Sequence, residues 1–239
     1  MVPMSDKPHY LAHRQRLRDR FSRTNGKGLS GYELLELLLT YAIPRRDVKP
    51  LAKKLIKKYG SVSGVLDADL KELESFQGLG EVSATLIRLV KEMFVSYAKE
   101  EMMRGDALTS PQLVVDFATT MLAGLPNEVF MVLYLNTKNE VLSFEEISEG
   151  TVNKVAVYPR RIVESALKNK SSGIILVHNH PSGYTRPSEE DLALTKAILS
   201  AVETVDIKVL DHIVVGKSSY FSFMEMGLLP NVGRRENIR

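Results

Sequence analysis

The sequence predicts an α+β protein in two parts: an all-helical domain over residues 1–105, then a mixed sheet flanked by helices over residues 106–239. Three observations predict it. Up to about residue 101, the apolar positions recur at helical spacing. Beyond residue 111, short apolar runs alternate with helical stretches, but without a regular βαβ repeat. Between the two lies RGDALTSP at 104–111, whose Gly, Pro and small polar residues mark a linker.

The elements follow in order. Residues 9–24, HYLAHRQRLRDRFSRT, read as a basic helix that Asn25-Gly26-Lys27-Gly28 breaks. Ser30 caps a second helix, whose apolar face is Tyr32, Leu34, Leu35, Leu37, Leu38 and Leu39 and which Pro44 ends. Asp47 caps a third, with Leu51, Leu55 and Ile56 inside and Lys53, Lys54, Lys57 and Lys58 outside. A small helical piece spans 66–76, and a long helix runs from the Gly78-Leu79-Gly80 turn to about Glu101. Residues 111–124 are helical. Strands are expected at 128–136, 141–147, 152–158, 173–177, 207–215 and 220–223, with helices at 159–169 and 188–203.

Composition bounds the function. The chain has 239 residues and an ordinary apolar and charged content, enough for one large or two small globular domains. No apolar run approaches a membrane span, and MVPMSDKPHY lacks an apolar signal core, so a cytoplasmic location is expected. With no cysteine, disulfides, zinc–thiolate sites and a Cys nucleophile are excluded, and any zinc must be held by His and carboxylates. Charge is uneven. The first sixty residues carry 14 Lys and Arg against 5 Asp and Glu, whereas residues 106–239 carry 13 against 16. The basic half points to a polyanion, nucleic acid first, unless these are simply solvated helix faces.

The chemistry concentrates at LVHNHPSGYTRPSEED. His178 and His180 are two apart at the end of the apolar run 173–177, and residues two apart on a strand face the same side. Pro181, Ser182 and Gly183 turn the chain, and Pro187 and Ser188 open a helix with Asp191 in its first turn. Two His and one Asp, with room for water, make an open catalytic zinc site. The bland alternative is that Ser188-x-x-Asp191 is a variant capping box and the HxH pair a coincidence. His178-Asn179-His180 spells the name of a nuclease motif, but that motif's residues are not contiguous.

His178, His180, Ser188 and Asp191 together match H-x-H, seven residues, Ser, two residues, Asp. This resembles the JAMM signature of the MPN metalloprotease superfamily. The longer string HNHPSG…PSEED…T, with LDHIVVG and FSF, resembles the RadC family of bacterial MPN-domain proteins. The resemblance implies an MPN (cytidine-deaminase-like) sheet and one Zn2+ per chain held by His178, His180 and Asp191. It implies Glu128, at the head of EVFMVLYLN, as general base and Ser188 as a donor to the tetrahedral oxyanion; Glu145, Glu146 and Glu149 are fallback bases. It implies hydrolysis of a peptide or isopeptide bond in an unknown protein or peptide. Asp211-His212 recurs in the family, with His212 either orienting a ligand or simply buried and hydrogen-bonded. Pro159-Arg160-Arg161 stands where family members usually carry Pro-Arg-Glu, which puts any substrate contact there in doubt.

The Gly78-Leu79-Gly80 turn resembles a helix-hairpin-helix, whose glycines let backbone N–H groups approach a DNA phosphate without reading sequence. Glu81, directly after it, opposes phosphate. The competing readings are therefore a DNA-binding accessory protein with the MPN domain as an interaction module, and a metal-dependent nuclease. The latter lacks the extra carboxylates of two-metal sites. Substrate contacts are expected from Tyr184-Thr185-Arg186 and from residues 148–153.

Overall fold

The structure, a computed structural model, describes residues 9–147, 157–217 and 219–229. The chain divides into two compact units, Met1–Met93 and Phe94–Arg239. The division falls inside one helix, ahead of the linker read from the sequence. The C-terminal turns of that helix bury Met102 in the core of the second unit.

The first unit is helical: α1 (His9–Thr24), α2 (Gly31–Ala42), α3 (Lys49–Tyr59), α4 (Val62–Leu66), α5 (Leu70–Ser75) and the start of α6 (Glu81–Arg104). The single helical piece expected at 66–76 is two helices, because Asp69 accepts from the N–H groups of Lys71 and Glu72 and so starts a new one. Leu35, Leu39, Leu51, Leu55, Leu73, Leu79 and Ile87 form the core. Each such leucine contributes about 1.5–3 kcal/mol of apolar burial. Two residues depart from the pattern. Leu34 is exposed, and Glu36 is buried against His13, 2.7 Å away. The buried Arg14 is structural: its guanidinium donates to the carbonyls of Ile43, Pro44 and Arg46, tying down the turn between α2 and α3.

The second unit holds α7 (Pro111–Leu122), β1 (Phe130–Leu135), β2 (Val141–Glu146), α8 (Pro159–Lys168), β3 (Gly173–Asn179), α9 (Glu189–Glu203), β4 (Lys208–Val215) and β5 (Tyr220–Ser222). The strand expected at 152–158 lies almost wholly outside the described residues. Among the described residues the strands form one mixed sheet in the order β2-β1-β3-β4-β5. Only β3 and β4 are parallel, joined by α9.

The period of two divides the sheet's side chains. Met131, Leu133, Leu135, Ile175 and Val177 pack with Phe117 and Leu122 of α7. Phe130, Val132, Tyr134, Ile174 and Leu176 pack with Ile162 of α8 and Ile198 and Val202 of α9. β4 breaks its own alternation. Ile174 pairs with Val209 but Ile175 with Asp211, so Leu210 is an extra residue. This bulge sends Val209 and His212 to the same face. No helix among the described residues is long and apolar enough to cross a membrane.

Candidate metal centre

The carboxyl ends of the parallel strands β3 and β4 meet the N-terminus of α9. His178 sits near the end of β3, opposite Phe130 of β1 and beside Val214 of β4. Its alternation places it on the α9 face, and His180 follows just past the strand. The His180 N–H donates to Val215 O at 2.9 Å, and Gly183 N–H to His180 O at 2.9 Å, which turns the chain. The loop lies hard against Gly216. A Cβ there would come within 2.5 Å of Gly183 O, so the close approach needs glycine.

The two rings converge. His178 Nε2 lies 3.0 Å from His180 Nε2. Asp191 Oδ1 is 3.2 Å from His178 Nε2, and Asp191 Oδ2 is 3.4 Å from His180 Nε2. Glu128, just before β1, brings Oε1 to 4.0 Å of His178 Nε2, with its side chain 41% exposed. Among the described residues, Glu128, His178, His180 and Asp191 form a group that could hold a metal ion, their donor atoms all within 4.8 Å of one another. Bonds of about 2.0–2.1 Å to a tetrahedral zinc place neighbouring ligand atoms roughly 3.3 Å apart. The His–His and His–Asp separations fit that edge; the more distant Glu128 does not.

Each side chain is held. Asp191 is the third residue of α9, and Ser188 is its cap. The Ser188 hydroxyl donates to Asp191 Oδ2 at 2.7 Å and accepts from the Asp191 N–H at 3.1 Å. The capping box and the cluster carboxylate, alternatives in the sequence, are one arrangement. Because the single Ser188 proton goes to Asp191, service to an oxyanion requires the hydroxyl to rotate off the cap. His180 Nδ1 lies 2.6 Å from Tyr184 O; a carbonyl only accepts, so Nδ1 carries the proton, and in the neutral ring Nε2 offers a lone pair to the cluster.

The structure adds two residues for which the sequence alone suggests no role. Asn179, between the histidines, is buried. Its Oδ1 accepts from Val129 N–H at 2.7 Å and its Nδ2 donates to Asn127 O at 3.0 Å, so it grips the backbone on both sides of Glu128. Thr195, one turn after Asp191, donates its hydroxyl to Asp191 O at 2.6 Å and stands 2.6 Å from His212 Nδ1. His212 is both buried and a partner of the cluster, with Nε2 2.9 Å from His178 Nδ1. The string ending in Thr held the Thr195 signal, but only the bulge in β4 shows what it touches.

Electrostatics follow the packing. Burial pushes the Asp191 carboxyl up, but the His178 and His180 rings facing it outweigh burial and hold the group well below the usual carboxylate range. The negative Asp191 carboxylate beside it in turn raises the His180 ring. Burial, with the His178 ring beside it, keeps the His212 pKa well below the ordinary imidazole value. The buried Asp211, raised by burial, accepts from His212 N–H, Met224 N–H and the Ser222 hydroxyl and ties β4 to β5.

Of the fallback bases, Glu145 is engaged with the Tyr134 and Ser165 hydroxyls. Neither it nor Glu146 belongs to the cluster, since both lie on the edge strand β2, with β1 between them and β3. Glu149 and the loop at 148–153 lie outside the described residues. Tyr184 is 81% exposed beside the site. In the first unit, Gly78 and Gly80 have φ of +92° and +73°, conformations that favour glycine. Arg46 donates to Gly78 O there, a cation that the linear spacing did not reveal.

Comparison with known proteins agrees with this architecture. Residues 108–228 match the model of a RadC-like JAB domain, and residues 9–85 match a UPF0758 N-terminal domain. A UPF0758 protein of Fusobacterium nucleatum subsp. nucleatum is 38% identical over 95% of this chain and 100% of its own length. A UPF0758 protein of Ruegeria pomeroyi is 40% identical over 93% of this chain and 100% of its own.

Proposed function

The chain belongs to the UPF0758 family and carries its RadC-like JAB domain, and from that membership we propose that it is a zinc-dependent hydrolase of the JAMM type that cleaves a peptide or isopeptide bond. One observation carries the reading: two imidazole nitrogens and a carboxylate converge at the spacing of three zinc ligands, with a second carboxylate standing off. Two His and one carboxylate suit zinc, whereas calcium and magnesium prefer all-oxygen sets.

His178, His180 and Asp191 are the ligands in this reading. Bound there, zinc would acidify a water toward neutrality and polarise the scissile carbonyl. Glu128 takes the attacking water's proton and delivers it to the leaving amine. Its distance from His178 leaves room for that water, and its exposure leaves it open to substrate. Asn179 keeps Glu128 in place through the backbone on either side. Ser188 orients Asp191 and, once rotated, donates to the oxyanion. The test is Glu128→Gln against a library of peptides and isopeptide-linked peptides. Zinc content should be unchanged and turnover should fall by about 10²–10⁴-fold. Equal turnover in variant and wild type would remove Glu128 from the chemistry.

A second reading has its own observation. Arg16, Arg20 and Arg23 line one groove along α1, at the spacing of a single helix face, together with Asp19 and with Glu33, which pairs with Arg20 at 2.6 Å. The exposed Arg16 and Arg23 suit the phosphate backbone of a nucleic acid, with the Gly78-Leu79-Gly80 turn and Arg46 as a further contact. In this reading the JAB domain is an interaction module.

A further inference from the structure

We propose that Thr195 and His212 form a positioning relay that fixes the tautomer of His178, so that its Nε2 lone pair faces the metal cluster. The inference rests on the metal-site reading but is argued from proton counts. A threonine hydroxyl has one proton, and that of Thr195 is given to Asp191 O at 2.6 Å. Toward His212 Nδ1, also at 2.6 Å, the hydroxyl oxygen therefore accepts, and Nδ1 of His212 carries the hydrogen. In a neutral ring the other nitrogen is then an acceptor. His212 Nε2 faces His178 Nδ1 at 2.9 Å, so His178 must be the donor there. In the neutral His178 ring that leaves Nε2 unprotonated, the atom that lies 3.2 Å from Asp191 Oδ1.

The chain of donors runs from His178 through His212 and Thr195 to the main-chain carbonyl of Asp191. It begins and ends on residues of the cluster. The surroundings hold the rings in the planes it needs. Phe130 stacks on His178 with an interplanar angle of 10°, and Phe223 stacks on His212 at 23°. His178, Thr195 and His212 are all at most 4% exposed, so water does not compete for these groups. The bulge at Leu210 is what brings His212 to this face. Thr195 and His212 are thus positioning residues, acting on the metal site through His178.

The experiment combines long-range proton–nitrogen NMR of the metal-free full-length chain with zinc affinity by chelator competition, for wild type, Thr195→Val and Thr195→Ser. In wild type both His178 and His212 should show the Nδ1–H form. Thr195→Val, nearly equal in shape but without an acceptor, should turn His212 to the Nε2–H form and weaken zinc binding by about 10–100-fold. Thr195→Ser should restore both. A wild-type His178 in the Nε2–H form, or a Thr195→Val chain with unchanged tautomers and affinity, would overturn the relay. If wild type takes up no zinc, the metal reading fails by itself, and the relay still stands or falls on the same spectra.

Discussion

Ser188 and Asp191 hold each other three times: the Ser188 N–H and hydroxyl each donate to Asp191 Oδ2 at 2.7 Å, and the hydroxyl accepts from the Asp191 N–H at 3.1 Å. The cap of α9 and the orientation of a cluster carboxylate are therefore one structural feature. Ser188→Ala should lower stability by about 1 kcal/mol by removing the cap. It should also weaken zinc binding by about tenfold, because Asp191 Oδ2 loses one of its two orienting donors and keeps only the Ser188 N–H. Thermal unfolding and chelator competition measure the two effects. A loss of stability with unchanged zinc affinity would confine Ser188 to the cap.

The α1 groove makes a separate prediction. Arg16→Glu/Arg23→Glu should weaken nucleic-acid binding evenly across sequences. It should also flatten the dependence of log K on log salt, by roughly 0.9 for each phosphate that is no longer neutralised. Fluorescence anisotropy at several salt concentrations reads this. A wild-type chain without salt-dependent binding would end the nucleic-acid reading.

Glu33 makes the first unit sensitive to acid. The Ser30 N–H and hydroxyl both donate to its Oε2, and Arg20 pairs with Oε1 at 2.6 Å. The Ser30 backbone hydrogen bond first, then Arg20, lower its pKa from 4.5 to about 2. A depressed folded-state pKa means that the stabilisation is present above pH 4.5 and is lost as pH falls toward about 2. Protection of α1 and α2 amides from hydrogen exchange should decline across that window in wild type. In Glu33→Gln it should be lower at neutral pH and nearly flat below. Parallel profiles for the two chains would show that Glu33 contributes nothing to this acid response.

Much of the site was legible because it is local. His178 and His180 share a face by the strand period, and Ser188 and Asp191 meet by the geometry of a helix start. What linear spacing could not supply depends on register. His212 reaches His178 only because the extra residue Leu210 turns β4 over, and Glu128 reaches the site because Asn179 grips the segment before β1. In the helical unit, periodicity placed the core but not its buried polar members. Arg14 serves three carbonyls of a distant turn, and Glu36 pairs with His13 on another helix. The helical piece at 66–76 divides because Asp69, which periodicity places inside a helix, is instead a cap.

The metal content of the purified chain, measured by elemental mass spectrometry beside His178→Ala/His180→Ala, bears most directly on the convergence of these four side chains. About one zinc per wild-type chain, absent from the variant, is the expected result. No metal in either protein, even after zinc is added back, would contradict the hydrolase and leave the basic groove of α1 as the surface to pursue.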